Sequence, residues 1–195
     1  MTALPQALIL AAGASNRMGH DKAALPWLNG DLLLPWLMKT LEAAGWAPTA
    51  VVSPQTESFW RERLPRIQLN PHPERGKTTS IAAGLHALAA HSGPVLITAV
   101  DQPRPAELYR RLAAAAGDAI LIPDNDGHRG HPIVFPNRFR EELTALDEHT
   151  LGLRGFLDRH RAETTFLPCP LDWLRWDFNT PGAYEEALAW FENQG

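Results

Sequence analysis

Short apolar runs alternate with longer amphipathic stretches along almost the whole chain. Residues 7–12 (A-L-I-L-A-A) are too few for a helix and suit a buried strand. The run breaks at Gly13 into a small polar loop that continues to Lys22. Residues 33–44 then place Leu34, Leu37, Met38 and Leu41 at helical spacing, and Gly45 closes that segment. Residues 49–53 (T-A-V-V-S) form a strand-like run stopped by Pro54, and residues 56–64 suit a short helix. Residues 66–70 alternate like a strand before Pro71 and Pro73 impose an extended loop. A helix is predicted over residues 77–91, with Ile81, Leu85 and Leu88 on one stripe, broken at Gly93-Pro94. Residues 94–100 (P-V-L-I-T-A-V) read as a central strand, apolar on both faces and ending at Asp101.

The second half repeats the rhythm. A helix is predicted over residues 105–115, a strand over 119–122, a polar loop over 123–130 and a strand over 132–135. Residues 137–146 and 151–160 read as helices, and residues 164–167 and 174–178 as strands. A closing helix starts at Pro181, with Thr180 at the N-cap and Tyr184, Leu188 and Phe191 on one face. Strands alternating with helices predict an α/β fold with a mostly parallel sheet covered on both faces. No linker or repeat divides residues 1–195, so a single domain is expected.

Composition narrows the function classes. A net charge of −4 and a pI near 6.0 argue against a nucleic-acid partner, which needs a basic face. No apolar stretch approaches the ~20 residues that span a bilayer. The first residues carry no basic n-region, so neither a signal peptide nor a membrane partner is expected, and a cytoplasmic location is. Cys169 is the only cysteine, which excludes an internal disulfide and a cysteine-based zinc site.

Open α/β sheets bind ligands at the carboxyl ends of their strands. Three features fall at that edge: the loop from Gly13 to Lys22, Asp101, and Asp177-Phe178-Asn179. A glycine-containing loop that carries Arg17 and Lys22 suits phosphates, because backbone N–H groups approach the oxygens while the cations neutralise charge. An ordinary strand-to-helix turn with solvated cations would read the same way. Asp101 suits a metal carboxylate, or simply the cap of the helix that follows. A nucleotide-borne magnesium usually takes only one or two protein carboxylates, so Asp101 with Asp177 or Asn179 would be enough. A dinucleotide site is disfavoured, since the first loop has Ser15 and Met18 where G-x-G-x-x-G needs glycine. His128 and His131 lack a nearby third ligand, Trp173 and Trp176 suit either a pocket or the core, and Lys77, Arg104 and Arg129 read more readily as solvated than as acceptor-facing.

Five segments in register resemble one family. L-A-A-G-A-S-N-R-M-G-H-D-K at 10–22 is similar to the opening motif of the nucleotidyltransferases that activate molybdopterin, and most similar to molybdenum cofactor cytidylyltransferases and their relatives. Asn70-Pro71 with Gly76-Lys77-Thr78-Thr79-Ser80 and Ala83-Gly84-Leu85, Val100-Asp101-Gln102-Pro103, Arg129-Gly130-His131-Pro132 and Asp177-Phe178-Asn179-Thr180-Pro181 resemble its later motifs. The resemblance implies a three-layer α/β/α Rossmann-like nucleotidyltransferase fold with roughly seven strands. It implies that Ala11, Ala12 and Gly13 hold the base and line the phosphate path, and that Arg17 and Lys22 grip the triphosphate. Ser80 and Gly84 would border base and ribose, Asp101 would bind Mg2+ with Asp177 or Asn179, and His131 would face the acceptor.

The implied reaction is transfer of CMP from CTP to the phosphate of molybdopterin or the molybdenum cofactor, with pyrophosphate leaving. Cytidine is favoured because Ala12 stands where the guanylyltransferase pattern (L-A-G-G) has glycine. Asn179 departs toward a poorer magnesium ligand, which favours Asp177, and Gly182 replaces an acidic residue common after the proline. The partners implied are a nucleoside triphosphate, the pterin cofactor, and a recipient molybdoenzyme or its chaperone. The alternatives are a guanylyl- or other nucleotidyltransferase with a different small phosphate acceptor, or a non-catalytic accessory protein that delivers cofactor.

Overall fold

Strand β1 (Gln6–Leu10) lies inside the sheet, between β2 (Ala47–Val52) and β4 (Val95–Ala99), and runs parallel to both. Its central residues Ala7, Leu8 and Ile9 are fully buried, as an uninterrupted apolar run requires. The computed structural model describes residues 4–13 and 21–194. β3 (Ile67–Leu69) extends the sheet beyond β2. On the other side β7 (Ile133–Phe135) pairs antiparallel with β4, and β5 (Ile120–Asn125) pairs antiparallel with β7. β6 (His128–Arg129) and β8 (Thr164–Pro168) both pair with β5, antiparallel and parallel respectively. Among the described residues, six of the eight strands therefore point the same way, with β6 and β7 reversed.

The period-two alternation of the strands sorts their side chains into two layers. Ala7, Ile9, Ala50, Val52 and Leu96 face α1 (Leu33–Ala43), α4 (Ala106–Ala115) and α7 (Pro181–Glu192). Leu8, Val51, Val95 and Ile97 face α3 (Lys77–Ala87), α5 (Arg140–Thr144) and α6 (Gly152–Arg159). The short α2 (Glu57–Arg61) adds Trp60 to the first layer. No helix among the described residues is long and apolar enough to cross a membrane.

Several expectations are corrected. Residues 174–178 form no strand, although burial alternates there as the sequence suggests: Leu174, Trp176 and Phe178 are buried, Arg175 and Asp177 exposed. The buried aromatics pack on Trp190 and Trp27, with ring centroids 5.4 and 5.7 Å apart, so side-chain packing and not a ladder produces the pattern. The loop over residues 123–130 is largely β structure: β5 runs to Asn125 and returns as β6 through Asp126-Gly127, both with positive φ. Asp-Gly between two strands is the turn chemistry that a two-residue hairpin demands. The predicted helix at 137–146 divides into a single 3-10 turn, Asn137–Phe139, and α5, and the helix at 77–91 ends at Ala87.

In the second layer His160 packs on Phe139 and Phe156 and is held by Glu163 (2.8 Å) and Glu142 (2.9 Å). Those hydrogen bonds, Glu163's foremost, raise its pKa above the usual histidine value. A raised pKa contributes stability in full below the unfolded value and loses it as pH rises through the folded one. His160→Gln is therefore expected to lower Tm more at about pH 5.5 than at about pH 9. Thermal melts across that range check this, and a pH-independent difference would refute it.

Candidate active site

The chain runs outward from β1 through β2 to β3, then returns to place β4 on the other side of β1. Such a reversal leaves a crevice beyond the carboxyl ends of the two diverging strands. A cleft of about 280 Å³ opens there, walled by Leu10, Ala11, Ala12 and Gly13 after β1 and by Ala99, Val100 and Asp101 after β4. Asp21, Lys22, Pro73, Gly76, Lys77, Ser80 and Asn179 complete it. Ala11, Ala12, Gly13, Lys22, Ser80, Asp101 and Asn179 are thus brought together as the sequence suggests. Arg17 lies outside the described residues.

Lys22 is the hub of the polar network. Asp21 accepts a hydrogen bond from the Ala23 N–H (3.0 Å) and so caps a turn that holds Lys22 over the sheet edge. The Lys22 ammonium donates to Asp101 Oδ2 at 2.6 Å and to Asn179 Oδ1 at 2.8 Å. Asn179 Nδ2 donates in turn to Asp177 Oδ1, and Gln102 Nε2 to Asp177 Oδ2, both at 2.9 Å. Asp177 therefore stands behind Asn179 and orients it, while Asn179 faces the cleft. The Phe178 N–H donates to the Asp101 carbonyl at 3.2 Å and ties the late segment to the end of β4.

The opposite wall is the first turn of α3. Buried Asn70 donates to Ser80 Oγ (2.9 Å) and Thr79 Oγ1 (3.0 Å), which fixes how that turn meets β3. Glu148 Oε1 accepts the Thr78 N–H at 2.9 Å. Gly76, with φ of 106°, favours glycine through its backbone conformation, and a Cβ there would lie 2.5 Å from the Glu148 side chain and push that contact aside. Glu148 carried no signal in the sequence, because it acts across 70 residues from an exposed turn. Gly84 lies outside the cleft: a Cβ there would sit 2.7 Å from Leu8 and 3.1 Å from Val51, so its smallness brings α3 onto the sheet.

Arg104 also departs from expectation. It is 1% exposed, not solvated, and its guanidinium donates to the backbone carbonyls of Pro103 (3.0 Å), His131 (3.1 Å) and Trp176. Burial pushes its pKa down to about 10, opposed by nearby Tyr109 and by the negative charges of Asp177 and Asp101. His131 sits at the same edge because β7 runs antiparallel and begins there. Burial, with the positive charge of Lys77 and Arg104, pushes its pKa down to about 4, so its ring is neutral at physiological pH. His128 is exposed on β6, Trp176 belongs to the core and Cys169 is buried.

His131 also borders a second cavity, of about 740 Å³. Its floor is Ile122, Ile133, Leu153, Leu157 and Phe166, and Arg129, Arg154 and Arg161 bring positive charge to it. Arg129 is exposed, as expected, and lies outside the first cleft: it pairs with Asp124 and lies 3.8 Å over the Phe166 ring.

The residues present fit a divalent cation carried by a ligand better than a resident ion. Among the described residues no group of three His, Cys, Asp or Glu side chains could hold a metal. Asp101 offers a carboxylate, 22% exposed, beside the amide oxygen of Asn179. One carboxylate and one neutral oxygen leave most of a magnesium octahedron to phosphate and water.

The family profile described as the MobA-like NTP transferase domain matches residues 7–164. The chain is 32% identical to a molybdenum cofactor guanylyltransferase of Rhizobium leguminosarum bv. trifolii, covering 95% of this chain and 92% of that protein. It is 27% identical to the molybdenum cofactor cytidylyltransferase of Escherichia coli, over 65% of this chain and 67% of that one. Among solved structures, a Mycobacterium tuberculosis H37Rv protein in complex with manganese superposes with a TM-score of 0.70 at 19% identity, covering 97% of this chain and all of the other.

Proposed function

The chain belongs to the MobA-like NTP transferase family, and on that premise we propose that it transfers CMP from CTP to the phosphate of molybdopterin or its molybdenum form, releasing pyrophosphate. The observation that carries transfer, and not binding alone, is the Lys22–Asp101–Asn179 cluster at the crevice. A protein that only stored nucleotide would have little use for a carboxylate at the phosphate end of its cleft.

In this reading the base and ribose lie along residues 11–13 and Ser80, and the triphosphate runs toward Lys22. Asp101 and Asn179 would hold a magnesium ion carried in on the nucleotide, which would supply neutralisation of the charge on the phosphates. The acceptor lies in the second cavity, its ring on the apolar floor and its phosphate reaching past His131 into the first cleft. A phosphate monoester is already ionised near neutral pH, so no general base is needed. An acceptor oxygen bonds to the α-phosphorus as the bond from that phosphorus to the β-bridging oxygen breaks. The chain's own residues align two anions in line and supply charge on the leaving side. Neutral His131 can donate a hydrogen bond to the acceptor without adding a charge that would hold it too tightly.

The cytidine assignment rests on Ala12, buried at 3% exposure in the cleft wall where the guanylyltransferase pattern has glycine. GTP is the second reading, favoured by the relatives named guanylyltransferase. One methyl group discriminates by only about 1–3 kcal/mol, so the base must be measured. Pyrophosphate release is assayed with each nucleoside triphosphate, magnesium, and molybdopterin present or absent. CTP with molybdopterin is expected to give the highest kcat/KM. Turnover with GTP alone would move the assignment to guanylyl transfer, and cofactor binding without turnover would favour a delivery role.

A further inference from the structure

Among the described residues, Arg104 is the one fully buried cation at this edge, and the proposed chemistry does not use it. One hydrogen bond is local, to the adjacent Pro103 carbonyl two residues after Asp101, and the other two tie this segment to two more: His131, at the mouth of the second cavity, and Trp176, immediately before Asp177. Among the described residues it forms no ion pair with a carboxylate, although Asp101 and Asp177 are near enough to influence it electrostatically. Burying a guanidinium against backbone carbonyls alone is costly, and an apolar side chain would fill the same space. The apolar replacement would leave three carbonyls without donors in the interior and would release the segments from one another. The planar fork is also what a lysine cannot reproduce: its compact ammonium holds the charge but not the spread of directions.

We propose that Arg104 is a positioning residue for nucleotidyl transfer: it clamps the segments carrying Asp101, His131 and Asp177–Asn179 into one unit, fixing the cation-binding oxygens relative to the acceptor. The inference rests on the transferase reading above. The walls built by β1 and α3 do not depend on this clamp, so nucleotide binding is separable from it. Arg104 touches neither substrate. It acts through the Phe178-to-Asp101 backbone bond and the Asp177–Asn179–Lys22 chain of hydrogen bonds.

The test uses Arg104→Lys and Arg104→Ala in the full chain. For Arg104→Lys, the KM for the nucleotide is expected to stay within about threefold. The expected kcat falls about tenfold or more, with a similar rise in the magnesium concentration needed for half-maximal rate, as sub-ångström misplacement produces. Added guanidinium ion is expected to restore part of the kcat of Arg104→Ala. Hydrogen exchange supplies an activity-independent readout: the Phe178 amide loses protection in both variants while amides within β1 keep theirs. If kcat per folded molecule and the magnesium requirement match wild type, or Phe178 keeps its protection, the clamp is refuted. If wild type turns over no nucleotide yet the exchange pattern changes as expected, the clamp holds and the transferase reading falls.

Discussion

Asp101→Asn is expected to lower nucleotidyl transfer by about 100- to 1000-fold while leaving the fold intact, the usual consequence of removing one charge aimed at a transition state. The carboxylate follows β4 directly, and its Oδ2 accepts from Lys22 at 2.6 Å in the crevice between β1 and β4. Asparagine preserves shape and one acceptor oxygen but not the charge that draws a divalent cation. The backbone bond from Phe178 to the Asp101 carbonyl does not involve the side chain, so the late segment stays attached. Steady-state kinetics with circular-dichroism melts check this. A rate within a few-fold of wild type would remove Asp101 from the metal role and leave it as the ion-pair partner of Lys22; it does not cap α4, whose N-cap is Pro105. A collapse of Tm would instead show that its work is structural.

The legible part of this molecule is the part encoded locally. β1 and β4 are buried on both faces, so their apolar runs were unmistakable, and the residues that follow them inherit the sheet edge. The motifs around Gly13, Ser80, Asp101 and Asn179 could be placed without knowing strand order, because each abuts an element the periodicity defines. What failed to show was whatever depends on distant partners. Arg104 looks like a surface cation until β7 reverses and brings His131 under it. Gly84 sits in a motif with cleft-lining Gly76, Lys77 and Ser80, yet the sheet needs it to be small. Leu174 to Phe178 mimics a strand because aromatic packing and pleated sheets impose the same alternation on burial. The second cavity joins β5, β7, β8 and α6, elements far apart in the chain, and no short pattern announces it.

The base preference shows the same limit. Ala12 is a local feature and could be read, but selectivity for a base is set by every group around its edges. Relatives with either base preference align with this chain, which means the shared framework does not fix the choice.

Lys22→Met is the companion experiment, and its expected loss of about 100- to 1000-fold equals that of Asp101→Asn for a related reason. The ammonium bridges Asp101 and Asn179 in the wall of the cleft, with only 12% of its side chain exposed. Methionine keeps the stem's packing and removes the charge, so Asp101 loses its partner and the triphosphate loses a cation together. If the two residues act as one unit, their effects cannot multiply. The double variant Lys22→Met with Asp101→Asn is then expected to be about as slow as either single one. It should also melt above Lys22→Met alone, because asparagine relieves the unpaired carboxylate. Strictly multiplicative losses would mean that Lys22 and Asp101 serve different steps. Near-normal activity in Lys22→Met would take the phosphate end of the cleft away from Lys22 altogether.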